Sequence, residues 1–154
     1  MIFDLQQRPE CLAQLAQWHH QQWRFLNPNL SLEQRIAKMQ AYLDDQPIPR
    51  TFVWQQAEQL QGSAAIVDCD MDSHPELGPW LASVYVAPEF RNQGRASALV
   101  AEVQRYAQRL GYAKLYLFTP DQQTFYQRLG WRLLSKENYR QAEVSLMVLD
   151  LQTN

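Results

Sequence analysis

Residues 91–96 (Arg-Asn-Gln-Gly-Arg-Ala) combine side-chain types that suit the binding of an anion. Gly94 lacks a Cβ atom, so a phosphate group can approach the backbone closely there. A helix that begins near Gly94 would present free N–H groups and the positive end of its dipole to that anion. The two flanking arginines add positive charge. The predicted anion-binding turn consists of Arg91, Asn92, Gln93, Gly94, Arg95 and Ala96.

The neighbouring segments favour a ligand site at this turn. Taken alone, the pattern also fits a plain helix N-terminus with one glycine, since the chain is rich in Gln and Arg. However, the apolar run Trp80–Val86 before it is typical of a strand buried on both faces. The apolar positions of residues 96–110 after it recur at helical spacing. The turn lacks the Lys and Ser or Thr of a Walker A loop and the three glycines of a dinucleotide fingerprint.

The rest of the chain predicts the elements that hold this turn. Periodicity and turn residues give the order β, α, α, β, β, β, α, β, α, β, β, with a hairpin turn at Gln61-Gly62. The strand–helix–strand unit at 80–118 requires a right-handed parallel crossover, whereas the hairpins make the other pairs antiparallel. We therefore predict an α/β (α+β, mixed-sheet) fold in one domain, residues 1–154. Predicted strands are 1–6, 51–55, 63–69, 80–86, 115–118, 131–134 and 143–151.

The composition of the chain argues against a nucleic-acid-binding protein and against a membrane protein. The 154 residues are 46% apolar and 19% charged, with a formal net charge of −2, which indicates a globular chain without overall attraction to nucleic acid. No apolar run reaches the roughly 20 residues that cross a bilayer, and no signal peptide is visible. We expect a cytoplasmic protein that binds neither nucleic acid nor membrane. We expect Cys11 and Cys69 to be two reduced thiols, and a disulfide between them is the alternative that the sequence leaves open. No His, Cys or Asp spacing predicts a metal site.

A second informative segment, Phe125-Tyr126 followed by Gly130-Trp131, lies on a short helix after the next strand. Parallel strands end at the same edge of a sheet, so Tyr126 and the Gly94 turn are expected to line one cleft. At this point the chain resembles the GNAT superfamily of N-acetyltransferases. Residues 84–96 resemble that family's motif A, and the second segment resembles its motif B, F-Y-x-x-x-G-[FW]. Two motifs in this order are more specific than either alone.

The resemblance implies a reaction with acetyl-CoA as co-substrate and without a metal. Acetyl-CoA would lie where two parallel strands splay apart, with its pantetheine arm along the backbone of Val84, Tyr85 and Val86 and its pyrophosphate at the Gly94 turn. A substrate amine would attack the thioester directly through a tetrahedral intermediate. Tyr126 matches the family's general acid, although a core tyrosine is the alternative. Many members carry Asn where this chain has Thr119, which would hydrogen-bond pantetheine less extensively.

The acceptor half of the reaction stays open at this stage. The resemblance implies a primary amine on a small molecule, a peptide N-terminus or a lysine, and many relatives form homodimers. The acidic run Asp68, Asp70 and Asp72 is either a solvated loop or a negative mouth that attracts a cationic amine, and no general base is assigned. The alternative to an enzyme is a non-catalytic acetyl-CoA-binding sensor or regulatory module.

Overall fold

A computed structural model describes residues 1–151 of the chain. It forms a seven-stranded sheet flanked by four α-helices. The strands are β1 (Ile2–Asp4), β2 (Arg50–Gln56), β3 (Gln59–Val67), β4 (Trp80–Val86), β5 (Lys114–Thr119), β6 (Arg132–Tyr139) and β7 (Ala142–Asp150). The helices are α1 (Leu12–Trp23), α2 (Leu32–Met39), α3 (Arg95–Arg109) and α4 (Gln123–Arg128). The predicted domain extends to residue 154, so its last three residues lie outside the described part.

The sheet has the mixed topology that the sequence predicts. Its strand order is β1-β2-β3-β4-β5-β7-β6, and every neighbouring pair is antiparallel except β4 and β5. Because β7 lies between β5 and β6, the edges of the sheet are β1 and β6. The homodimer that the resemblance implies stays a prediction for this chain, and of the last two strands only β6 has a free edge.

The predicted hairpin turn at Gln61-Gly62 is wrong. The β2–β3 turn lies instead at Ala57 and Glu58, which both have positive φ angles of 51° and 64°. Gly62 lies inside β3, where a Cβ atom would come within 2.8 Å of the Tyr85 carbonyl oxygen. This glycine permits a close approach of β3 to β4 and does not form a turn.

Helices cover both faces of the sheet. Neighbouring residues of a strand point to opposite faces, and apolar residues on each face pack against helices. Phe52 belongs to the core beneath α3 and α4, whereas Val53 packs with α1 and α2. Ser31 is the N-cap of α2, since its hydroxyl accepts the Gln34 N–H at 3.0 Å. Helix α4 begins after Gln122, whose side chain forms no capping hydrogen bond.

Several sequence expectations concern single features of the described residues. Cys11 and Cys69 are both free thiols, so no disulfide joins them. Within residues 1–151, no helix is both long enough and apolar enough to cross a membrane. The same part of the chain contains no group of three or more His, Cys, Asp or Glu side chains that could hold a metal ion.

Candidate active site

The cleft arises because β4 and β5 separate soon after they meet. Their only paired positions are Trp80 and Tyr116, and the Tyr116 N–H donates to the Pro79 carbonyl at 3.0 Å. From Leu81 onward, the edge of β4 that faces β5 has no strand partner among the described residues. Its backbone N–H and C=O groups are therefore available to a ligand that lies between the strands like an added strand.

β4 contains a bulge in the segment that borders this gap. Between the pairs Ala65–Ala82 and Ser63–Tyr85, β4 contains one more residue than β3, and Ser83 has a φ angle of 55°. A non-glycine residue in this region of φ is uncommon and must be held by its surroundings. The Ser63 hydroxyl supplies such a contact, since it donates to the Ser83 carbonyl at 2.8 Å.

His19 on α1 completes this buried chain of hydrogen bonds. Its Nε2 lies 2.9 Å from the Ser63 hydroxyl oxygen. Because that hydroxyl already uses its one proton toward Ser83, Nε2 must carry the hydrogen and donate it. Burial, and to a lesser degree the charge of Arg35, lower the pKa of His19 to about 3, so the ring is neutral near pH 7. The strand that forms one wall of the cleft is thus tied to α1.

The Gly94 turn has the geometry of an anion-binding helix N-terminus. Gly94 precedes α3 with a φ angle of 83°, and no atom lies within 4 Å of the place where its Cβ would be. The first helical hydrogen bond runs from the Ala98 N–H to the Gly94 carbonyl at 3.1 Å. The N–H groups of the three residues between them therefore precede the helical ladder and point out of the helix end.

Arg91 and Arg95 hold the turn in place through hydrogen bonds and a contact with an aromatic ring. Arg91 Nε donates to the Val86 carbonyl at 2.7 Å, and its guanidinium lies over the Tyr85 ring. Arg95 donates to the side-chain oxygens of Gln61 and Gln93, each at 2.7 Å. Their positive charge is therefore held beside the free N–H groups.

One cavity of about 530 Å³ joins the gap and the turn. It brings together nearly all of the predicted site residues; Gln93 alone is not part of its lining. Those that line the cavity are Val84, Tyr85, Val86, Arg91, Asn92, Gly94, Arg95, Ala96, Thr119 and Tyr126.

Tyr126 lies on the β5 side of this cavity, where its ring is buried against Phe125 and Trp131. Burial, with a smaller contribution from the negative charge of Asp121, raises the pKa of its phenol above the ordinary value. The phenol therefore stays protonated at neutral pH and can only act as a proton donor there. Thr119, at the end of β5, accepts the N–H of Gln122 at 3.0 Å and so shapes the entry into α4.

The opposite end of the cavity contains residues that the sequence did not assign. Asp70 and Arg35 line it together with Trp23. Of the acidic run, only Asp70 reaches the cavity; Asp72 instead pairs with Arg140 at 2.9 Å. The sequence signal for Arg35 was its place on the apolar face of α2, between the inward-facing Leu32 and Met39.

Asp70 combines partial burial with nearby cations. Burial raises the pKa of its carboxyl group to about 6, while Lys38 on α2 and Arg140 after β6 oppose the rise. Tyr42, which also lies near it, has its own pKa raised to about 12, chiefly by burial, and is neutral at pH 7. A carboxyl group with a pKa near 6 is ionised at neutral pH and is basic enough to accept a proton from a reacting group.

Comparison with known proteins identifies the family. A scan against protein-family models matches residues 12–131 to the acetyltransferase (GNAT) family. The chain belongs to this family of acetyltransferases, which confirms the resemblance drawn from its two motifs. A search of curated proteins found no match.

Solved structures of the same fold cover nearly the whole chain. An aminoglycoside 6'-N-acetyltransferase complexed with coenzyme A is 13% identical, with a TM-score of 0.79 over 100% of this chain and 98% of that one. An N-acetyltransferase from Staphylococcus aureus Mu50 is 18% identical, with a TM-score of 0.73 over 99% and 98%. The protein yncA from Salmonella typhimurium, with its cofactor acetyl-CoA, is 17% identical, with a TM-score of 0.71 over 100% of this chain and 95% of that one.

The buried state of His19 predicts a pH dependence of stability. In the unfolded chain the ring has its ordinary pKa of 6.5, so below this pH the unfolded state binds a proton that the folded state excludes until about pH 3. The free energy of unfolding therefore falls as the pH falls through 6.5, by up to about 1.4 kcal/mol per pH unit from this group. His19→Gln keeps an N–H donor but does not titrate. In urea denaturation, the stability advantage of the wild type over His19→Gln should shrink from pH 7.5 to pH 5; a constant difference would contradict the assignment.

Proposed function

We propose that this acetyltransferase moves the acetyl group of acetyl-CoA to the nitrogen of a primary amine, by direct attack of the amine and through a tetrahedral intermediate. The observation that carries the proposal is the unpaired edge of β4, which opens into the same cavity as the Gly94 turn and Tyr126. A strand edge, an anion site and a proton donor are the three features that such a reaction requires from one cleft.

The cleft fits acetyl-CoA along its length. The backbone of Val84, Tyr85 and Val86 offers the pantetheine arm the hydrogen bonds of a strand edge, and a backbone N–H there polarises the thioester carbonyl. The pyrophosphate binds at the turn of residues 91–96, where the absent Cβ of Gly94 leaves open space. Thr119 supports the arm from the end of β5, although its hydroxyl oxygen already accepts the N–H of Gln122, the residue before α4.

The chain's own groups account for the protons. A protonated amine is no nucleophile, so it first loses a proton, which we assign to the Asp70 carboxylate. The amine nitrogen then forms a bond to the acetyl carbon, and the carbon–sulfur bond breaks. The departing thiolate takes a proton from the Tyr126 phenol, and the second nitrogen proton restores the phenol. The net products are the amide, free CoA thiol and one proton released from Asp70.

The phosphate turn predicts that Gly94→Glu abolishes binding of acetyl-CoA, because the new carboxylate occupies the open space and repels the pyrophosphate. Gly111→Glu is the matched control: Gly111 also has a positive φ angle, 90° against 83°, and no atom within 4 Å of its Cβ position, but it follows the other end of α3. Isothermal titration calorimetry should show wild-type affinity for the Gly111 variant and none for the Gly94 variant. Equal affinities would remove the pyrophosphate from this turn.

The role of Tyr126 predicts that Tyr126→Phe lowers kcat by about 100-fold, and raises KM for acetyl-CoA much less, because only the proton donor is lost. Release of free thiol with a broad panel of amines measures both parameters. Tyr112→Phe, on a phenol that is 37% exposed and outside the cavity, is the control. An unaltered kcat would move the acid to another group. A folded wild-type protein that binds acetyl-CoA and turns over no amine would instead indicate a sensor module.

The role of Asp70 predicts that kcat declines as the pH falls through about 6, since protonation of this raised-pKa carboxyl group removes the base. In Asp70→Asn, kcat should drop by about 100-fold and that inflection should vanish. Asp121→Asn removes the other carboxylate of the cavity and should keep the inflection. The assignment fails where Asp70→Asn retains the wild-type pH profile.

A further inference from the structure

Arg35 brings an unpaired positive charge into the acceptor end of the cavity. Its Nε and Nη2 atoms are buried, and neither forms a hydrogen bond within residues 1–151. In this part of the chain, no carboxylate lies within ion-pair distance of its guanidinium. A half-buried guanidinium with two buried donors that lack a partner is costly, so a native structure that retains one points to an anion that binds there.

The residues around Arg35 do not neutralise this charge. Tyr42 is close enough to influence it, but the raised pKa of Tyr42 keeps that phenol neutral at pH 7. Burial lowers the pKa of Arg35 itself, yet a guanidinium begins so high that it remains protonated. The charge of Arg35 also contributes to the lowered pKa of His19, which places the two side chains near each other. His19 in turn lies beside β4, since its ring is 6.3 Å from the ring of Tyr85. Arg35 is therefore a cation near the wall of β4.

The balance of charge at this end opposes a polycationic acceptor. Three cations lie on or near it: Arg35, together with Lys38 and Arg140, which both face Asp70. Arg140 is compensated by its ion pair with Asp72. One carboxylate and one uncompensated guanidinium in the same cavity suit a molecule that carries an amine and an acid together.

Building on the proposed N-acetyltransferase activity, we propose that the acceptor is an α-amino acid whose carboxylate binds Arg35 and whose amine gives its proton to Asp70. A guanidinium binds a carboxylate through two parallel N–H···O bonds, and the Nε and Nη2 atoms of Arg35, a residue that lines the cavity, have no hydrogen-bond partner within residues 1–151. Trp23 and Tyr85, whose rings lie 6.2 Å apart, line the same end and favour an apolar side chain on the amino acid.

The test measures binding, without turnover, of leucine, methionine and phenylalanine and of their carboxamides to the wild-type protein in the presence of CoA. Each carboxamide keeps the amine and the side chain but loses the negative charge. By titration calorimetry, at least one amino acid should bind the wild type about 10- to 100-fold more tightly than its carboxamide, as expected for charge-assisted hydrogen bonds. Arg35→Gln should remove this preference and leave the affinity for acetyl-CoA within about twofold.

Two further variants separate direct contact from general charge and from misfolding. Arg35→Lys keeps the positive charge but loses the paired N–H donors of the guanidinium. It should therefore retain part of the preference for the acid over the amide that Arg35→Gln removes. Lys38→Gln removes a cation one turn further along α2 and should leave the preference nearly intact. Circular dichroism verifies that each variant is folded. An equal affinity for acid and amide, a preference that survives Arg35→Gln, or no binding of any of the three amino acids would overturn the inference.

The outcomes also distinguish this inference from the proposed function. Amino acids that bind through Arg35 without any release of thiol would refute catalysis and leave the anion site standing. Thiol release with amines that lack a carboxylate, at rates unaffected by Arg35→Gln, would overturn the amino-acid acceptor and leave the acetyltransferase activity standing.

Discussion

The separation of β4 from β5 is the constraint on which the rest of the cleft depends. A continuous ladder between these parallel strands would use the backbone groups that a ligand needs, and it would close the cavity. The ladder stops after the single pair Trp80–Tyr116, and a bulge at Ser83 follows in β4. The positive φ angle at Ser83 is unfavourable by itself. The buried chain from His19 through Ser63 to the Ser83 carbonyl compensates for it, so a hydrogen bond from α1 helps to shape a wall of the site.

The two ends of the cleft differ in the source of their electrostatics. At the Gly94 turn, backbone N–H groups and the dipole of α3 supply positive potential that depends on no charged side chain, and Arg91 and Arg95 add to it. At the opposite end, charge comes from side chains on three separate segments: Arg35 on α2, Asp70 after β3, and Arg140 after β6. An anion site made of backbone persists through many sequence changes, whereas one made of side chains can change with single substitutions. This difference agrees with a common donor and variable acceptors across one fold.

The same difference decides how much of the site could be predicted from the sequence. Gly94, with its strand and helix, is a local pattern, and the order of strands follows from periodicity and crossover rules. The prediction of a turn at Gly62 is wrong because a glycine in a strand and a glycine in a turn look alike in the sequence. Only the structure distinguishes them, since a Cβ atom on Gly62 would come within 2.8 Å of the Tyr85 carbonyl oxygen. Arg35 and Asp70 are 35 positions apart in the chain, and no local pattern joins them. Their meeting depends on how α2 packs against the sheet and on where the loop after β3 is fastened.

The ion pair that attaches this loop to the sheet depends on pH. The loop that carries Asp70 is tied to β6 by His74 and Glu137, whose Nε2 and Oε1 atoms lie 2.7 Å apart. Bonds from Ser135 and His74 lower the pKa of Glu137, so its contribution is present above its unfolded value of 4.5 and is lost as the pH falls through the lower folded value. The bond to Glu137 raises the pKa of His74, so that contribution is complete below 6.5 and is lost as the pH rises through the higher folded value. The tether is therefore fully charged between about pH 4.5 and 6.5, which includes the region near pH 6 where Asp70 ionises. The Asp70 carboxylate, which we assign as the base, thus forms at a pH where the ion pair between His74 and Glu137 still holds its loop against β6.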